Sequence, residues 1–155
     1  MSLLATVRPD AWNLPLFLHV LGAMVMVGGF VLALTSLAGA ARGGELPITR
    51  LGFRALLYAA LPGFIVMRGA AEWIADKEGY AAAKKTPAWI DFGYIIADPT
   101  LLFLLIAMLL SGLALRRARR DGGGGGGLVR AATILIAIAL VADLVAIFAM
   151  TTKPV

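Results

Sequence analysis

Four ionisable side chains interrupt the four long apolar runs of this sequence, one in each run: His19, Arg68, Asp98 and Asp143. An imidazole is the usual axial ligand of haem iron and also suits copper, a guanidinium pairs with carboxylates in a two-pronged fork, and carboxylates relay protons. Charges buried in a bilayer are costly and face a bundle interior or a water-filled cavity, so four of them call for one joint account.

The elements that must position them follow from composition. Hydrophobic residues make up 61% of the 155 residues and the mean hydropathy is +0.90, well above soluble composition. The runs Trp12–Leu37, Leu51–Ala75, Ile90–Leu115 and Leu128–Met150 are each long enough to cross a hydrocarbon core that needs about 20 helical residues. Short connections leave no room for a separate soluble domain. The sequence therefore predicts one all-α transmembrane domain over residues 1–155, an integral membrane four-helix bundle in contact with the lipid bilayer. The small-residue stretch Leu37–Ala41 mimics a signal-peptide cleavage site. The apolar run before it is about twice the usual signal core and its leader carries Arg8 as sole cation, so the segment is expected to stay as helix 1.

Cations set the orientation. The regions joining helices 1 and 2 and helices 3 and 4 hold eight: Arg42, Arg50, Arg54, Arg116, Arg117, Arg119, Arg120 and Arg130. The other side holds five, Arg8, Lys77, Lys84, Lys85 and Lys153, diluted by Asp10, Asp76 and Glu78. Both termini are therefore expected outside and the arginine-rich connections in the cytoplasm. This topology and anionic lipid account for a pI near 10.1 without nucleic-acid binding. Gly122–Gly127 reads as a flexible hinge, because it has no apolar side chain to pack and glycine loses the most backbone entropy on ordering, and no Lys, Ser or Thr follows at phosphate-loop spacing. The connection Asp76–Trp89 is expected to hold a short interfacial helix, and Trp12, Trp73, Tyr80 and Trp89 fall where an aromatic belt would.

At 1.5 Å of rise per residue, His19, Arg68, Asp98 and Asp143 all lie roughly 10 Å below the outer face, forming one polar layer. The simplest use of such a layer is structural. Arg68 would pair with Asp98 and Asp143, with Glu72 joining one turn away and His19 bonded to a neighbouring backbone or hydroxyl.

A functional use starts from helix 1. His19, Gly22, Met26 and Gly29 recur at helical spacing and share one face, smooth beside the imidazole. Small residues let a helix backbone or a flat macrocycle approach closely. Cysteine is absent and histidine occurs once, which excludes disulfides, thiolate sites and a His-rich zinc site within one chain.

The stretch His19–Gly22, with Gly28 and Gly29 after it, and the segment Pro87–Asp91 resemble small bacterial integral membrane proteins of the CopD-like kind. More distantly they are similar to the membrane protoporphyrinogen oxidase, HemJ-like, family. The resemblance implies a four-helix bundle in a bacterial inner membrane, with His19 as a ligand for haem b or copper. Haem iron would then take His19 with Met24, Met26 or Met67, or His19 from two subunits of a homo-oligomer, and Arg68 would meet a propionate. Copper would use His19 with Met24 and Met26, since imidazole and thioether suit Cu(I). A transport reading rests on Asp98-Pro99 and Pro62-Gly63, where helix kinks beside ionisable groups make an ion or proton path. A third reading is an accessory subunit of a larger membrane complex. No catalytic triad, dinucleotide fingerprint or phosphate loop is present.

Overall fold

The computed structural model describes residues 13–43, 46–80, 88–121 and 126–152, and among these there is no strand. Four long helices carry the fold: α1 Asn13–Ala41, α2 Leu46–Lys77, α3 Ala88–Asp121 and α4 Gly126–Thr152. All four are long and apolar enough to cross a membrane, so the chain is the all-α four-helix bundle that its hydropathy requires. Each helix outruns its apolar stretch. α1 continues to Ala41, α2 starts at Leu46 rather than Leu51, α3 runs on through four arginines to Asp121, and α4 takes up Gly126 and Gly127. Backbone hydrogen bonding does not stop at the hydrocarbon boundary, and arginine is a good helix former in the headgroup zone. The hinge expected at the glycine run therefore shrinks at its C-terminal side, while residues 122–125 lie outside the described residues. So do the leader, Trp12, and residues 81–87, where the interfacial helix was expected.

Neighbouring helices are antiparallel. Gly22, Gly29 and Leu37 of α1 face Met67, Ala60 and Gly52 of α2, and Gly93 and Thr100 of α3 face Met150 and Asp143 of α4. α1 lies between α2 and α4, and α3 packs along α4. The start of α1 and the end of α4 thus lie at one end of the bundle, the terminal end, and Arg42, Arg50, Arg116 and Arg119 lie at the other, the arginine end. The connection out of α1 turns at Gly43 (φ 100°) and the one out of α2 at Gly79 (φ 75°), both in the left-handed region that glycine enters without penalty.

Small residues set the spacing. A Cβ added to Gly22 would lie 2.5 Å from the Met67 backbone nitrogen, one on Gly29 2.6 Å from that of Ala60, and one on Gly63 2.6 Å from that of Met26. α1 and α2 are in backbone contact over this stretch, the arrangement favoured where lipid offers no hydrophobic drive between helices. The core behind them is made of Phe30, Leu37, Leu56, Leu104 and Ile136, separated by fully buried alanines.

Proline is handled differently in the interiors of α2 and α3. Pro62 has no N–H, and its ring excludes the carbonyl four residues back, that of Tyr58. α2 absorbs this in one widened turn, π-helical over Leu56–Ala60, after which the Leu61 N–H donates to the Leu56 carbonyl five residues behind. α3 is helical without interruption through Pro99.

α2 and α3 meet at the arginine end, where Phe53 sits against Gly112. Toward the terminal end their backbones draw apart and polar side chains bridge the seam.

Candidate functional site

The four ionisable residues do not form one connected layer. They divide into three groups, each with its own partners.

His19 is half-buried on α1, and its ring is pinned to α2, with Nδ1 3.0 Å from the Met67 carbonyl oxygen. A carbonyl can only accept, so Nδ1 is the donor in this contact. The close approach at Gly22 brings that carbonyl within reach. The rest of the face is not open. Gly22 and Gly29 are filled by the α2 backbone, and Met26, 2% exposed, is packed against Gly63, so no macrocycle fits along them. Met24 is 67% exposed and points away from this packed face. His19, Met24 and Met26 therefore do not converge: Met24, five positions on, lies about 140° around the helix from His19, and Met26, on the same side as His19, is taken up by packing against Gly63. The sequence pattern was a helix-packing surface, with His19 at its edge.

Arg68 belongs to the α2–α3 seam. Its Nη2 lies 3.2 Å from Glu72 Oε1 and 3.5 Å from Asp98 Oδ1, and its guanidinium sits over the Tyr94 ring, 4.2 Å from the centroid. The Tyr94 hydroxyl donates to Glu72 Oε2 at 3.1 Å. The cluster is two helical pairs set against each other, Arg68 with Glu72 on α2 and Tyr94 with Asp98 on α3, both at a spacing of four. Tyr94 was missed in the sequence, although its spacing to Asp98 mirrors that of Arg68 to Glu72. Arg68 spans the seam with one nitrogen serving both carboxylates, and a propionate there would compete with Glu72 and Asp98. The Asp98 side chain is 74% exposed on the outer side of the seam.

Asp143 is inside the bundle at 6% exposure, and its Oδ1 accepts from the Thr100 hydroxyl at 3.0 Å. Its Oδ2 is buried and has no hydrogen-bond partner among the described residues. The expected pairing of Arg68 with Asp143 is not formed. Asp98 and Thr100 are two residues apart, roughly 200° around the helix, so when Thr100 faces the core Asp98 must face out. One guanidinium cannot serve both directions. Thr100 was missed because a threonine on an apolar helix is commonly bonded to its own backbone, as Ser111 is here, donating to the Ala107 carbonyl at 2.7 Å.

Among the described residues no three of His, Asp or Glu come together as a metal site, and copper ligation by His19, Met24 and Met26 has no geometric support. Compared with family models, with curated proteins and with solved structures, the chain matches none of them.

Proposed function

We propose that the protein is a small redox-related integral membrane protein that ligates haem b through His19, in a bacterial inner membrane with both termini outside. The observation that carries this reading is the His19–Met67 contact. A ring nitrogen held by a backbone carbonyl orients the imidazole and leaves the other nitrogen to meet a ligand, the arrangement metal-ligating histidines adopt. The fit is one-sided. One axial ligand is available, the thioethers of Met24 and Met26 are turned elsewhere, and the glycine face is filled, so the group would sit at the half-buried outer edge of His19 with its second ligand from another subunit. When bound there, haem supplies one-electron transfer. The exposed Asp98 carboxylate supports a partner in the membrane, a second copy or a larger complex, because a carboxylate facing hydrocarbon is costly.

The test is the absorption spectrum of detergent-purified protein, oxidised and reduced, beside His19→Ala. A Soret band lost in the variant supports the reading, and a colourless protein of full helicity overturns it. A second reading, proton- or ion-coupled transport, is favoured by one observation, the buried Asp143 with an unpartnered Oδ2 beside Thr100. It predicts transport that Asp143→Asn abolishes in a colourless protein.

A further inference from the structure

We propose that the groove between α2 and α3 at the arginine end binds an anionic phospholipid, one acyl chain lying in the groove and its phosphate held by Arg116 and Arg119. The groove is open on its outer side, has a volume of about 420 Å³ and is lined by Phe53 of α2 and by Met108, Leu109, Gly112, Arg116 and Arg119 of α3. This is within the range of about 300–1,000 Å³ of sites that hold a small molecule. Gly112 makes its floor, since a Cβ there would already touch the Phe53 ring at 3.4 Å.

The lining changes character along its length. The α3 residues that line it are apolar up to Leu115 and cationic from Arg116 on, so the groove crosses the boundary between hydrocarbon and headgroup. A free phosphate has no use for the apolar half, and a zwitterionic lipid brings a quaternary ammonium, with its repulsion, to the cationic half along with its phosphate. An anionic phospholipid uses both, its phosphate meeting the guanidinium fork that recognises that group best. A second observation lies on the facing helix. Arg50, three residues before Phe53 on α2, does not itself line the groove, but its Nε is buried without a hydrogen-bond partner among the described residues. A desolvated guanidinium donor without an acceptor calls for an anion. The site is independent of His19 and of the seam at the terminal end, so it stands whether or not haem binds.

The experiment is native mass spectrometry of the full chain in neutral detergent, titrated with phosphatidylglycerol and with phosphatidylcholine of identical acyl chains. Phosphatidylglycerol is expected to bind at least tenfold tighter, and the double variant Arg116→Gln/Arg119→Gln to lose that preference, at about tenfold per arginine. The double variant Arg42→Gln/Arg130→Gln removes the same charge from the same side outside the groove and is expected to keep it. Gly112→Phe fills the floor, removes no charge and is expected to weaken both lipids, so it carries the test if the arginine variant fails to fold. Equal binding of the two lipids, equal loss in the Arg42/Arg130 control, or full competition by inorganic phosphate alone would each overturn the proposal.

Discussion

Gly22→Ala tests the packing that places His19. The added methyl would lie 2.5 Å from the Met67 nitrogen, 2.8 Å from the Gly63 carbonyl oxygen and 2.9 Å from the Met67 Cα. All three are backbone atoms of α2, so no side chain can swing aside. To reach the 3.4 Å of ordinary contact the helices must part by about 1 Å at the residue whose carbonyl accepts from His19. Overpacking of this kind costs about 1–3 kcal/mol, and loss of the His19 hydrogen bond adds about 1 kcal/mol. Gly28, six residues along α1 and with nothing within 4 Å of an added Cβ, is the internal control. Gly28→Ala should be neutral or stabilising by up to about 1 kcal/mol, the helix propensity difference. The assay is reversible unfolding in mixed micelles with a rising fraction of denaturing detergent, followed by far-UV circular dichroism. A Gly22→Ala midpoint no lower than that of Gly28→Ala would refute the backbone contact between α1 and α2, and with it the placement of the imidazole.

Gly93→Ala should cost less than about 1 kcal/mol in the same assay, although its added methyl would collide with Met150, because the colliding atom is the end of a flexible thioether that can move. Arg68→Ala should lower stability by about 1.5–3 kcal/mol by stranding Glu72 and Asp98 together, whereas Asp98→Asn, at a largely exposed side chain, should cost under about 1 kcal/mol. The reverse order in the unfolding midpoints would place the centre of the seam elsewhere. Thr100→Val removes the donor to Asp143 in a volume-matched side chain and should cost about 1–3 kcal/mol, while Thr100→Ser keeps the hydroxyl and recovers most of it. Equal stability of the two variants would count against the Thr100–Asp143 bond.

The helix count and antiparallel order were legible in the sequence because hydropathy alone determines which stretches can leave water. Helix ends were less so, since Arg116 to Asp121 continue α3 after the apolar signal has stopped. The π turn of α2 was invisible in a different way. Pro62 announces that one hydrogen bond is missing, but whether the chain kinks, breaks or widens a turn depends on Gly29 and Ala60 holding α1 and α2 in contact at that level.

The polar residues were legible as buried or costly, but not as a set. Depth along the bilayer was readable from residue number, and it put four groups at one level. Azimuth was not readable, and azimuth decides pairing. Thr100 turned inward commits Asp98 outward, which gives Arg68 to the seam and leaves Asp143 with a hydroxyl instead of a cation. The consequence runs past stability. A bundle that needed its charges only to fix helix order would enclose them all, yet this one closes its interior around Asp143 and turns Asp98 to the membrane. An outward carboxylate in hydrocarbon is costly, and Arg68 at 3.5 Å offsets part of that cost. The partner proposed above would approach the seam between α2 and α3 at the terminal end, and cross-linking from position 98 should then capture a membrane-embedded neighbour where position 141, also outward on α4, captures lipid.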